Sequence, residues 1–489
     1  MLPYKNLIVL EHQRPQALYL QIVDAFSQFI QQGQLVAGNQ LPSSRVLSKL
    51  LEVHRNTISM AYEELEAQGW VEIQPKRGVF VHQQIPLLQS RNLGQNPTST
   101  KQLGYTIHPV SFIQPIVSEP KHHLAFDDGV PDVRLAPLAA LGRAYRVAIQ
   151  RPSFRKELEY GSTLGSMALR QVLQQHLQAT RGIQIEQDQL MITRGSIMGL
   201  YLVAQLLLKK GDTVVVGALN YQTANSIFQQ AGAQLLTIPV DEKGIVVGAL
   251  ESICQQQRIS AIYVASHHHH PTTVTLSADR RLQLLALAQQ YQFALIEDDY
   301  DYDYHYQRNP ILPLASIDSL QQVIYIGSMS KALAPAFRVG FVAAHPQLIQ
   351  QMGTLRRIID RQGDFPLEKA IASLFQAGDI QRHLRKALRI YKERRDGLVQ
   401  LLEQQLEGAL SFDIPKGGMA IWAKFDPSID LYKTGQQALK KGLLFRADNY
   451  YTPNFPPLQA TRLGFASLNL AELEEATHIL QQSLVLKKN

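Results

Sequence analysis

Apolar positions in residues 16–33 recur at helical spacing, with Tyr19, Ile22, Val23, Phe26, Phe29 and Ile30 on one face and Gly33 ending the run. Leu41-Pro-Ser-Ser44 then offers a serine cap for a short helix reaching about Leu51. A third helical stretch sets Ile58, Ala61, Tyr62 and Leu65 at i, i+3, i+4 and i+7, and Gly69 closes it. Period-two alternation comes next in Trp70–Ile73 and Val79–Val81, on either side of Pro75-Lys-Arg-Gly78. Three helices and a hairpin with a basic tip predict a winged helix-turn-helix over residues 1–82.

The periodicity lapses from Gln83 to about His123, where Gln, Asn, Pro, Ser and Thr prevail. Such a length without an element is unusual inside a compact domain, so 83–123 reads as a flexible linker with docked apolar stretches such as Tyr105–Ile116. From Leu124 onward, short β-rich runs alternate with helical stretches. The runs are Gln189–Thr193, Thr213–Val216, Ala261–Ala265, Ala294–Asp298, Val323–Ile326 and Val339–Ala343. The alternation predicts an α/β unit over 124–489, with a mostly parallel sheet covered on both faces. A smaller α/β lobe is expected after about Arg382, with Met419–Lys424 as one of its strands.

Composition narrows the classes without choosing among them. The 489 residues are 45% hydrophobic and 18% charged, which fits neither a disordered chain nor a fibre. No apolar run reaches the roughly 18–20 residues of a membrane span, and the first fifteen residues lack a signal-peptide core, so a cytoplasmic location is expected. The single cysteine, Cys254, excludes an internal disulfide and a cage of thiolates around a metal. A net charge of +7 admits a polyanionic partner, yet residues 1–82 hold seven basic and seven acidic residues. DNA binding there must come from local placement.

That placement is suggestive. Arg55, Asn56, Thr57 and Ser59 lie at the start of the third helix, opposite its apolar stripe. Arg and Asn suit base edges in the major groove, whereas Thr57, Ser44 and Arg45 suit phosphates. Lys76, Arg77 and Gly78 at the hairpin tip would approach the adjacent minor groove. Arg382, Arg385, Lys386, Arg389 and Lys392 keep helical spacing too, and read first as a solvated face.

The densest chemistry lies in Val323–Gly340, where a strand leads into Ser328-Met-Ser-Lys331 with Arg338 seven residues on. A lysine at a strand end can form an imine with an aldehyde cofactor, and nearby hydroxyls and a guanidinium suit a phosphate. Upstream, Ala294-Leu-Ile-Glu-Asp-Asp-Tyr300 puts Asp298 and Tyr300 on one strand face beyond a buried run. A buried carboxylate wants a cationic partner such as a protonated pyridine nitrogen, and a phenol can meet a ring oxygen. Together these are the parts that pyridoxal 5'-phosphate requires.

These residues also carry a family resemblance. Tyr160-Gly161, Gly165, Leu169-Arg170, Thr193-Arg-Gly-Ser196, Asp298, Tyr300, Ser328-Met-Ser-Lys331, Arg338 and Arg462-Leu-Gly-Phe465 resemble fold-type I aminotransferases. Leu41-Pro-Ser-Ser-Arg45, His54-Arg-Asn-Thr57, Ala61-Tyr62, Leu65 and Gly69 look like a GntR-type winged helix. Joined by a long linker, the two resemble the MocR subfamily of bacterial regulators.

The resemblance implies roles. Lys331 would carry the cofactor imine, Asp298 would face the pyridine nitrogen and Tyr300 the ring hydroxyl. Ser328, Ser330 and Arg338 would hold the phosphate, with the backbone N–H groups of Gly195, Ser196 and Ile197. Tyr221 would stack on the ring, Tyr160 would reach the phosphate held by a partner subunit of a homodimer, and Arg462 would grip an effector carboxylate. The chain departs from the family at Ala218-Leu-Asn-Tyr221 and at His267-His-His-His-Pro-Thr-Thr273. Adjacent histidines on an extended segment alternate faces, so no metal is expected there, and His268 or His270 is expected to line the cofactor pocket.

The reading is a transcriptional regulator of an operator in double-stranded DNA. Its aminotransferase-like domain would sense an amino acid or related amine through aldimine exchange at Lys331. An active aminotransferase with a DNA-binding appendage is the alternative, and a regulator sensing the cofactor itself is a third reading.

Overall fold

The computed structural model describes residues 2–84, 106–108, 124–152, 155, 159–307, 311–318, 321–445 and 458–487. Most of the expected linker, including the Tyr105–Ile116 stretch apart from 106–108, lies outside the described residues. Chain contacts divide the molecule into two compact units, Met1–Pro109 and Val110–Asn489.

The first unit packs the helices Leu18–Gln31, Ser44–Leu51 and Arg55–Ala67 beside the antiparallel strands Val71–Gln74 and Gly78–Val81. Its core is the apolar stripe read from the sequence, with Phe26 between the rings of Tyr4, Phe29 and Tyr62. Ser43 caps the second of these helices by accepting from the Val46 N–H, which satisfies one of the helix's open donors. The buried Tyr62 hydroxyl donates to Pro42 O at 2.6 Å and ties the third helix to the chain before the second. This is the winged helix-turn-helix that the pattern predicts.

The second unit is built on a seven-stranded sheet. Its order is Leu190–Thr193, Gly340–Ala343, Val323–Ser328, Ala294–Asp299, Ala261–Val264, Thr213–Gly217 and Gln234–Ile238. All neighbours run parallel except Gly340–Ala343, which is antiparallel to both of its partners. Helices cover both faces, and two separate apolar cores result.

Strand alternation decides which polar side chain enters which core. Leu295 and Tyr325 face one core, and Ile296 and Ile326 face the other. Period two therefore sends Glu297 and Asp299 to the first side and Asp298 to the second, where Tyr263 also lies. The C-terminal lobe has the antiparallel strands Leu410–Phe412, Ala420–Phe425 and Ala460–Gly464 under the helices Asp379–Gln405 and Leu470–Gln481. Leu124–Phe126 pairs with Leu443–Phe445, so the start of the unit joins this lobe.

Candidate functional site

Open α/β sheets bind ligands outside the carboxyl ends of their strands, and the candidate residues gather there. Thr193 leads to Gly195, Gly217 to Tyr221, Val264 to the histidine run, Asp299 to Tyr300, and Ser328 to Lys331. Arg338 reaches the same edge because the strand it precedes runs the opposite way.

Asp298 is 7% exposed, and Tyr263 from the neighbouring strand donates its hydroxyl to Asp298 Oδ2 at 2.6 Å. Asp298 Oδ1 is buried and has no donor among the described residues. Burial pushes this carboxyl up to about 6, against the pull of the Tyr263 hydrogen bond. On the opposite face, Asp299 accepts from the Tyr325 hydroxyl at 2.6 Å, and burial pushes it up to about 7. Asp299 Oδ1 is likewise buried without a hydrogen bond among the described residues, but Asp299 lies on the other face of the sheet, with His267 Nδ1 3.5 Å from its Oδ2.

Lys331 lies just past the strand end, and its Nζ donates to Gly129 O at 2.6 Å. Burial lowers its proton affinity, and Asp301, Asp127 and Asp128 oppose that shift. Tyr300 stands one residue past its strand and donates its hydroxyl to His268 O at 2.7 Å. Burial raises that phenol well above the usual tyrosine range.

The expected phosphate cradle is assembled from three segments. The helix Gly195–Leu207 opens at Gly195, with φ +77°, and its first N–H groups have no partner within the helix. A Cβ on Gly195 would stand 2.5 Å from Arg338 Nη2, and one on Gly340 would stand 2.7 Å from Ser196 N. Only glycines allow this approach of strand, helix start and guanidinium. The exposed Arg338 donates to Arg194 O at 3.4 Å, and Ser330 N donates to Ser328 Oγ at 3.2 Å. Ile197 lies 38% exposed in the same helical turn.

The four histidines turn to four different partners. His267 Nε2 meets Ile311 O at 2.6 Å, His268 Nδ1 meets Asp301 at 2.7 Å and His269 Nε2 meets Leu219 O at 2.7 Å. His270 Nε2 meets Asp128 at 2.8 Å, and its ring packs edge-on to Tyr221 with centroids 5.4 Å apart. Among the described residues no three His, Cys, Asp or Glu side chains group to hold a metal ion. Arg462, 3% exposed in the strand Ala460–Gly464, pairs through Nε with Asp128 Oδ1 at 2.9 Å and donates to Pro271 O at 3.1 Å. Tyr160 is 78% exposed with the Arg361 guanidinium 4.0 Å from its ring centroid, and has no hydrogen bond to the other candidates among the described residues.

Sequence reasoning missed Tyr263, Asp127, Asp128 and Gly129. Tyr263 sits in an apolar strand, where nothing local tells a core phenol from a carboxylate's partner. Asp128 precedes Lys331 by about two hundred residues, and its loop is placed by the sheet pairing of Leu124–Phe126 and by Asp127 O accepting from Gly464 N at 3.0 Å.

In the first unit, Arg55 and Asn56 are exposed at the start of the helix Arg55–Ala67, with Thr57 and Ser59 half-buried on its first turns. His54 caps this helix, its Nδ1 accepting from Asn56 N at 3.2 Å. Arg55 Nε donates to Ser44 Oγ at 3.2 Å, and neither Arg55 nor the exposed Arg45 forms an ion pair among the described residues. Lys76, at φ +65°, and Arg77 are exposed in the turn, Gly78 starts the second strand, and Gln40 Nε2 braces Arg77 O at 2.9 Å. No described helix is long and apolar enough to cross a membrane.

Comparisons with known proteins divide the chain in the same way. Residues 18–81 match the family described as bacterial regulatory proteins, gntR family, and residues 136–480 match aminotransferase class I and II. The HTH-type transcriptional regulator YdfD of Bacillus subtilis is 27% identical over 472 residues, covering 96% of each chain. The probable rhizopine catabolism regulatory protein MocR of Rhizobium meliloti is 26% identical over 98% of this chain and 96% of its own. Among solved structures, the multiple substrate aminotransferase of Thermococcus profundus superposes with a TM-score of 0.71 at 27% identity, over 77% of this chain and 97% of that one. The kynurenine aminotransferase of Pyrococcus horikoshii gives 0.68 at 30% identity, over 74% and 90%. A match across residues 136–480, behind a DNA-binding region shared with full-length regulators, places the chain in the class I and II aminotransferase family, as a GntR/MocR-type transcriptional regulator.

Proposed function

We propose that the second unit is a pyridoxal 5'-phosphate-dependent sensor of an amino acid or related amine, and that its occupancy adjusts operator binding by the first unit. Class I and II aminotransferases typically bind this cofactor. The observation that carries the reading is Asp298 Oδ1, a buried acceptor without a donor among the described residues, which a protonated pyridine nitrogen would satisfy. The other residues fit the same group. Ser328, Ser330, Arg338 and the N–H groups of Gly195, Ser196 and Ile197 would hold the phosphate. Tyr300 would meet the ring hydroxyl, and Tyr221, with His268 and His270 behind it, would wall the ring. Tyr160 would complete the cradle of a second copy in a homodimer.

Bound pyridoxal phosphate supplies an aldehyde carbon that amines attack. The chain's residues orient that chemistry and govern its protons. Asp298 would hold the pyridine proton, its carboxylate's rotation fixed by Tyr263. Lys331, made less basic by burial, holds an amine nitrogen ready and yields its position to an incoming amine. Arg462 forms the ligand-side wall. Because Lys331, Asp298, Tyr300 and Arg462 are all present, turnover as an aminotransferase is the second reading.

A ligand shifts operator binding only by its differential affinity, so about 1–3 kcal/mol of coupling is expected, and DNA must alter ligand affinity by the same factor. The test pairs operator titrations with and without candidate amines against keto-acid production at saturating amine. A change in operator affinity without keto-acid supports the sensor. Rapid turnover on several amino acids with unchanged operator affinity would replace it with the enzyme.

A further inference from the structure

Asp128 belongs to none of the sequence motifs, yet it engages two groups of the ligand pocket. Its carboxylate meets Arg462 Nε at 2.9 Å and His270 Nε2 at 2.8 Å, and its backbone oxygen accepts from Arg462 Nη2 at 3.4 Å. The Arg462 side chain is 2% exposed and the Asp128 side chain 45%. A carboxylate reaching in from a loop thus balances a buried guanidinium. The loop is fastened in place. Asp127 Oδ1 accepts from the N–H groups of Gly129 and Val130, both at 2.8 Å, and Asp127 Oδ2 accepts from the Ser467 hydroxyl at 2.6 Å. Gly129, the next residue, turns at φ +80° and offers its oxygen to Lys331.

The charges around Lys331 are consequently uneven. Asp127, Asp128 and Asp301 stand on the acidic side, and Arg462 is the cation opposing them. Asp301 is engaged by His268, and Asp127 by its own turn. Asp128, engaged by Arg462 and His270, is the one of the three whose side chain is half in solvent. A ligand carboxylate approaching Arg462 meets a guanidinium already paired and lies against a like charge. Specificity arises as much from such repulsion as from attraction.

We infer that Asp128 is a specificity-determining residue that, by occupying Arg462, makes the site beside Lys331 take amines with no α-carboxylate in preference to the matching amino acids. This rests on the reading of Lys331 as the point of amine exchange, and it narrows that reading to one chemical class.

Four probes form a closed cycle. Cadaverine is lysine without its carboxylate, and pentylamine is norleucine without its carboxylate. Within each class, the first member adds an ammonium to the second. Full-length protein loaded with pyridoxal phosphate is titrated with each, tracking cofactor absorbance and, separately, the melting temperature. Cadaverine should bind at least tenfold tighter than lysine, and pentylamine at least tenfold tighter than norleucine. In Asp128→Asn both ratios should collapse toward one, and Asp128→Ala should repeat the result without the amide. Wild-type protein that binds lysine or norleucine as tightly as the decarboxylated probe overturns the inference, as does Asp128→Asn retaining the wild-type ratios. Failure of the underlying reading looks different: a borohydride-reducible band that survives Lys331→Ala, or no response to any probe in either wild type or variant.

Discussion

Arg55 and Lys331 are the cations on which the two proposed activities turn, and they stand in opposite surroundings. Arg55 is exposed, and among the described residues its side chain has one hydrogen bond, to Ser44. Lys331 leaves a buried strand among carboxylates, and its neighbours are fixed by hydrogen bonds of 2.6–2.8 Å. A DNA-reading face keeps its side chains hydrated until bases and phosphates replace the water. A cofactor site desolvates and orients its groups as the chain folds. Substitutions in the first unit should therefore alter binding and spare folding, whereas those in the second should alter both.

The largest effect is expected at Lys331. Lys331→Ala should abolish the borohydride-bleached absorbance entirely and leave non-specific DNA affinity unchanged in a filter or anisotropy assay. A loss of DNA affinity of similar size would erase the contrast between the units. Asp298 comes next. Its carboxyl is moved from 3.8 to about 6 by burial, so between these values the folded chain holds a proton that the unfolded chain has released. Without cofactor, stability therefore falls as pH rises through that window, by about 3 kcal/mol in all. Asp298→Asn should remove the fall, making the cofactor-free variant the more stable at pH 7.5 in urea titrations, with little difference at pH 4. The same variant should bind pyridoxal phosphate about 10–100-fold more weakly, the scale of a lost charged hydrogen bond.

Effects in the first unit should be smaller and confined to DNA. Arg55→Ala should weaken operator binding by about 1–3 kcal/mol and relax base preference, with no change in melting temperature. Lys76→Ala should weaken all sequences alike and reduce the salt slope by about one. Equal loss on operator and random DNA for Arg55→Ala would place that residue on phosphates. Smallest of all should be Arg382→Gln, which removes an exposed pair with Asp379 at 2.6 Å, on the surface stripe of the helix Asp379–Gln405. Stability should move by less than about 0.5 kcal/mol.

The same contrast explains what the sequence made legible. Ile22, Phe26, Ile58 and Tyr62 announce their helices because a small unit has one core and each helix one apolar face. In the large unit, buried strands such as Ala261–Val264 show as apolar runs, and Asp298 and Lys331 stand out as charges at their ends. Gln234–Ile238 did not show, because as an edge strand it alternates poorly and exposes both Gln234 and Thr237. Leu124–Phe126 is three residues long and gains its meaning from a partner more than three hundred residues away. Asp128, and with it the charge balance at Arg462, depends on that pairing. Local pattern carries what local burial decides, and cross-chain pairing decides the rest.

The reversed strand Gly340–Ala343 has a consequence for synthesis. Among the described residues Leu190–Thr193 is hydrogen-bonded within the sheet to that strand alone, so the edge of the sheet stays open until residue 343 has been made. The winged helix is complete by Val81 and holds its own core. At about 5–20 residues per second, the interval between the two lasts roughly 13–50 s. For that time each nascent chain would carry a complete helix-turn-helix unit on the ribosome, before the sheet of the second unit could close.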